Sequence, residues 1–139
     1  MSVVGLDIGS QTSFCGVARQ GGIEVVANEY SKRATETVVS LGDKMRHLGT
    51  AGNEKRISQI KATCLNFKRL IGLPFEHPVV QSLATGPYSA PYKIVKCPTT
   101  GTAAVALPDG QVYAIQQVIF IYCLYTNDNS RSWRCSWEK

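Results

Sequence analysis

Metal-ligand and disulfide patterns are what this sequence most obviously lacks. Its two histidines, His47 and His77, stand apart with no partner at metal-ligand spacing. The cysteines, Cys15, Cys64, Cys97, Cys123 and Cys135, contain no C-x-x-C pair. Their number is odd, so a complete disulfide framework within the chain is excluded. Free thiols in a reducing compartment are the expectation. No apolar run approaches the ~18 residues of a membrane span. The chain opens without a basic segment or a long apolar one, so a cytoplasmic protein with no membrane partner is expected. Blocks of one charge are missing too. The net charge of +5 comes from dispersed residues such as Lys32-Arg33, Lys55-Arg56, Lys61 and Lys93, which read as solvated faces. Nucleic-acid binding would need a clustered patch, with aromatics interleaved for single strands, so no nucleic-acid partner is expected. Repeats and low-complexity tracts are absent.

What is present is ordinary globular material. With 44% hydrophobic and 18% charged residues, 139 residues suffice for one domain with a real core. The chain is organised around its opening, Val3 to Ala18, which reads as strand, tight polar turn, strand. Leu6 and Ile8 share one face of the first strand, which sends Asp7 to the other at the strand's end. Gly9 is expected to take positive φ where the chain reverses, and Gly16 to admit a close neighbour. Ser10, Thr12 and Ser13 add hydroxyls to a row of turn N–H groups, a concavity suited to phosphate oxygens. A carboxylate beside such a turn suits a hydrated magnesium ion. On turn chemistry alone, a polar hairpin with no ligand explains the same residues.

Further along, Gly21-Gly22 marks a turn before a third strand, Ile23 to Ala27. Asn28 to Glu36 is irregular, and Val38 to Leu41 makes a short fourth strand. Asn53 can then cap a helix whose apolar stripe is Ile57, Ile60, Cys64, Phe67 and Ile71, ended by Gly72 and Pro74. Lys68 falls in its last turn, where a surface lysine is favoured by the helix dipole. His77 to Pro91 reads as loop and Tyr92 to Val95 as strand. Ala103 to Leu107 and Gln111 to Ile115 form a hairpin about Pro108-Asp109-Gly110. Gln116 to Tyr125 is apolar all round and β-prone, with no helical stripe. Thr126 to Lys139 is polar and without period, and is expected to be disordered. Val118 to Tyr125 has the profile of an aggregation-prone strand, so removing residues 118–139 is expected to improve solubility.

The stretch VVGLDIGSQTSFCGVARQGGIEVVANEYSKRAT, with K-R-L-I-G following at Lys68 to Gly72, resembles the heat-shock-70 chaperone superfamily. VARQGGIEVVANEYSKR, and Ser10-Gln11 where standard members carry paired threonines, resemble its heat-shock-110, or nucleotide-exchange-factor, branch. The resemblance covers about residues 2 to 118 and leaves 119–139 as an unlike tail. It implies an α/β, actin-like (ribonuclease-H-like) ATPase fragment: a mixed sheet with an amphipathic helix and a small outer subdomain. It also implies ATP and magnesium as cofactors. Asp7 would organise magnesium through water, Gly9, Ser10, Gln11 and Thr12 would hold phosphate, and Lys68 would reach the γ-phosphate and help place the attacking water. The implied partners are a heat-shock-70 chaperone and unfolded client proteins. The chain departs from the family at Gln11 and Glu36. It has no counterpart of the family's second phosphate loop or glycine-rich adenosine segment, so catalysis by this stretch alone is not expected. The rival expectations are a non-enzymatic interaction fragment of a chaperone and a non-functional truncation product.

Overall fold

A computed structural model of the chain describes residues 3–19, 21–42 and 44–134. Strands β1 (Val3–Ile8), β2 (Thr12–Arg19) and β3 (Gly22–Val25) form an antiparallel meander, and the two-residue β4 (Thr35–Glu36) pairs with the start of β2. The register sets Leu6 opposite Cys15 and Ile8 opposite Ser13, with Asp7 opposite Phe14 on the other face. Two further antiparallel sheets follow. β5 (Val38–Ser40) lies between β6 (His47–Leu48) and β7 (Thr63–Leu65), while β9 (Ala103–Ala106) lies between β8 (Lys93–Lys96) and β10 (Val112–Ala114). The 103–115 hairpin forms as its turn residues dictate. Gly110 adopts φ 87°, and Asp109 Oδ1 accepts the Gln111 N–H at 2.9 Å.

The long helix expected from Asn53 to Ile71 does not form. Helix α1 spans only Gly49–Glu54. Beyond it come two short 3-10 turns, Ile60–Ala62 and Phe67–Leu70, with β7 between them. Ile57, the first residue of the expected stripe, is 94% exposed, whereas Cys64 and Phe67 are buried. The reason is nonlocal. Val39 of β5 pairs with Cys64, and the buried Thr63 hydroxyl bonds Ser40 Oγ and the Gln59 carbonyl. Continuing the helix would leave the β5 edge and these polar groups unpaired. Asn66 then turns the chain in the left-handed region, φ 53°.

Two other expectations are corrected. The 77–91 loop contains helix α2, Pro78–Thr85, begun by Pro78 at its first position and by His77 Nδ1, which accepts the Val79 N–H. The β-prone run is a helix as well: α3 spans Ile115–Arg134. The Gln117 side chain accepts the Ala114 N–H at 2.9 Å, half of a capping box. Ile115, Val118 and Tyr122 are fully buried and Thr126 nearly so, while Phe120 and Leu124 face water. A helical stripe exists, but in a run apolar on every side only the cover chooses it. Thr126 to Arg134 is therefore helical rather than disordered, and residues 135–139 lie outside those described.

The core gathers Val39, Cys64, Phe67, Leu70, Val80, Val105, Ile115, Val118 and Tyr122. The Phe67 and Tyr122 rings meet edge to face at 6.2 Å. This packing brings the 3-10 turn that carries Lys68 up to the end of β1.

Candidate phosphate-binding site

The turn between β1 and β2 is held by the Gly9 N–H, which donates to the Thr12 carbonyl at 3.0 Å, and by the Thr37 N–H, which donates to the Gln11 carbonyl at 2.8 Å. Gly9 does not take positive φ, contrary to expectation. Its glycine is required for another reason: a Cβ there would lie 2.4 Å from the Thr12 carbonyl oxygen. Gly16 is not a point of close approach, since a Cβ there would meet only ordinary contacts near 4 Å. Among the described residues, the Ser10 and Gln11 N–H groups and the Ser10 hydroxyl have no hydrogen-bond partner. Such a row of free donors on a fixed turn is suited to anionic oxygen.

Ser13 belongs to the frame rather than to that row. It is buried, and its hydroxyl is shared with Thr37 Oγ1 at 2.9 Å and Tyr122 at 3.0 Å. The Tyr122 hydroxyl also reaches the Glu36 carbonyl at 3.2 Å. Burial pushes the Tyr122 phenol upward, so it stays protonated as a donor at neutral pH. Tyr122 thus fastens α3 to the turn's supporting strand across 109 residues of sequence. Nothing in the sequence pattern singled it out.

Lys68 lies in the 3-10 turn between buried Phe67 and Leu70, and its ammonium donates to the carbonyl of Ile8, immediately before Gly9. Arg69 beside it is exposed. Asp7 is exposed and, by the strand alternation, faces away from Leu6 and Ile8. It borders a narrow cleft with Arg33 and Thr35. The structure therefore brings Gly9, Ser10, Gln11, Thr12 and Lys68 together at the end of β1, with Lys68 bonded to the carbonyl of the residue next to Asp7.

Ser10 and Gln11 also line a cleft of about 380 Å³ together with Glu36, Thr37, Asn53, Arg56 and Asn66. Burial alone would raise the Glu36 pKa. The Thr50 hydroxyl, 2.7 Å from Oε2, and the Lys32 ammonium, 3.4 Å from Oε1, outweigh it and hold the carboxyl below its usual range. No cluster of three or more His, Cys, Asp or Glu able to hold a metal occurs among the described residues. The donor set thus fits phosphate oxygens. It fits magnesium only as a hydrated ion with at most one carboxylate from this chain.

Residues 3–122 match the family model described as Hsp70 protein. The chain belongs to the Hsp70 family. It is 43% identical over 121 residues to "Heat shock protein 110" of Caenorhabditis elegans, covering 86% of this chain and 15% of that protein. It is 40% identical over 121 residues to "Heat shock 70 kDa protein 4L" of Homo sapiens, covering 85% and 14%. It is 41% identical over 120 residues to "97 kDa heat shock protein" of Mesocentrotus franciscanus, covering 85% and 13%. These relatives are of the heat-shock-110 kind, and the Hsp70-family ATPase domain supplies the actin-like fold class of which these sheets and helices are part. The chain spans only about 15% of the length of the curated relatives it matches. The family model reaches Tyr122, within α3.

Proposed function

We propose that this stretch forms one phosphate-binding wall of the ATP site of a heat-shock-110-type chaperone, which works in the cytoplasm in protein folding and nucleotide exchange on heat-shock-70. One observation carries the reading: free turn donors at Ser10 and Gln11 stand beside a lysine tied to the same turn through the Ile8 carbonyl. Gly9 keeps the turn tight, Ser10 to Thr12 present donors to phosphate oxygens, and Lys68 supplies positive charge to the terminal phosphate. Preorganised donors of this kind stabilise charge without rearranging during reaction. Magnesium carried by the triphosphate would neutralise charge between its phosphates. Asp7 would orient water on that ion once the ligand completes the site. The full protein's partners would be a heat-shock-70 chaperone and unfolded clients.

One wall alone neither excludes water nor closes over the nucleotide. The 139-residue chain is therefore expected to bind MgATP weakly, in the millimolar range, and to hydrolyse none. Amide NMR during a MgATP titration checks this: the Ser10–Thr12 signals should move, and the response should fall several-fold in Lys68→Ala. A titration in which those amides stay still would overturn the reading.

A further inference from the structure

Arg56 is an exposed cation whose guanidinium makes no hydrogen bond or ion pair with any described residue. By composition it belongs with Lys55 on a solvated face, yet it lines the 380 Å³ cleft together with Ser10 and Gln11. That volume lies within the usual range for ligand clefts. Glu36, the one acid lining the same cleft, is bonded at its two carboxylate oxygens by Thr50 and Lys32 rather than by Arg56.

The support beneath Arg56 is firm. Helix α1 ends two residues earlier and packs on β5 and β6 so closely that a Cβ on Gly52 would lie 2.8 Å from the His47 carbonyl oxygen of β6 and 3.2 Å from the Val38 carbonyl oxygen of β5. The Arg56 N–H itself donates to the Asn53 carbonyl at 3.1 Å. An arginine carried on a fixed backbone, in no ion pair with a described residue and sharing a cleft with a row of unpaired N–H groups, fits an elongated, multiply charged anion.

We propose that Arg56 grips the polyphosphate chain of the nucleotide from the wall facing the Ser10–Gln11 turn. The anion lies between peptide N–H groups on one side and the guanidinium fork on the other. Lys68, at the base of the turn, and Arg56, across the cleft, then divide the phosphate charge. Arg56 is a binding residue on this reading, and the inference rests on the phosphate-site reading above.

The test uses the whole 139-residue chain and sodium tripolyphosphate, which removes any contribution from the nucleoside. Amide NMR follows Ser10, Gln11 and residue 56 during titration. Arg56→Gln is expected to weaken binding about fivefold, the scale of one charge-assisted contact in an open site, with Arg56→Lys between it and the wild type. Glu36→Gln, which removes the acid from the wall, should tighten binding about twofold. Lys93→Gln, a cation outside this cleft, controls for net charge. Melting curves of the variants confirm the fold. If Arg56→Gln matches Lys93→Gln while the turn amides still shift, the role of Arg56 is overturned and the phosphate turn survives. If the wild-type turn amides do not respond, the site reading falls and this inference falls with it.

Discussion

The edge strands of the first sheet and the central strands of the two outer sheets are built from similar residues and meet opposite fates. β1, Val-Val-Gly-Leu-Asp-Ile, and β3, Gly-Ile-Glu-Val, are exposed along nearly their whole lengths. β5, Val-Val-Ser, and β9, Ala-Ala-Val-Ala, are buried almost throughout. Ile23 is 83% exposed and Val39 fully covered, although both are β-branched strand residues. Coverage makes the difference. α3 packs on β5, β9, β10 and the Phe67–Leu70 turn, and it meets the first sheet through the Tyr122 hydroxyl on Ser13. The candidate site sits on the seam: its turn comes from the exposed sheet, while Lys68 and Arg56 come from the buried unit. A site built this way inherits its precision from the buried half.

The comparison breaks most completely if the cover is removed. Deleting residues 118–139 takes away Val118 and Tyr122, both fully buried. One buried aromatic truncated to alanine costs about 3–5 kcal/mol, against a typical total stability of about 5–15 kcal/mol. The shortened chain should lose cooperative melting and near-ultraviolet circular dichroism, the reverse of the sequence-based expectation of improved solubility. A shortened chain that melts as well as the full one would show that α3 covers nothing of consequence.

Single substitutions sharpen the contrast at smaller scale. Phe67→Ala should cost about 3–5 kcal/mol by urea denaturation, because its ring packs on Tyr122 in the core. Ile23→Ala, on the open face of the first sheet, should change stability by less than about 0.5 kcal/mol. Equal effects at the two positions would erase the distinction between the regions.

The smallest effect distinguishes thiols without altering stability. Burial pushes the Cys64 thiol up to about 12 and raises that of Cys15. Cys97 lies in the turn after β8, where hydrogen bonds from Thr100 and then Thr99 bring its thiol down to about 6. Above that pH Cys97 is mainly thiolate, the nucleophilic form, and below it the thiol returns. All three side chains are buried, with Cys97 6% exposed, so thiolate content rather than access sets their order: iodoacetamide followed by mass spectrometry should modify Cys97 before Cys15 and Cys64 at pH 7.5, and more slowly at pH 5. Preferential labelling of Cys64 would mean that the outer core opens readily.

Features encoded by neighbours in the chain were legible from residues alone. The β1–β2 hairpin, the Pro108-Asp109-Gly110 turn and the polar turn at Gly9 to Thr12 rest on short-range alternation and turn chemistry. The place of Lys68 was legible only through family resemblance. Periodicity misread 53–71 because the stripe counted on one helix is divided among a strand, two 3-10 turns and solvent. It missed α3 because the run from Val118 to Tyr125 offers apolar residues to every side. Signals for two helices were nevertheless present: Pro78 at a first helical position and Gln117 reaching back to the Ala114 N–H.

By itself the sequence determined the family, the opening hairpin and the chemistry of its turn, because these depend on residue identities a few positions apart. Tertiary structure decided the rest. Pairing with β5 made Cys64 a strand residue, and the cover of the core chose which side of α3 would be buried. The Tyr122 hydroxyl drew Ser13 out of the phosphate row and into the frame. Arg56 came to share a cleft with Ser10 through the packing of α1 on β5 and β6. Each of these outcomes depends on groups far apart in sequence competing for the same edge, cavity or hydrogen bond, and that competition is settled only once the chain has closed on itself.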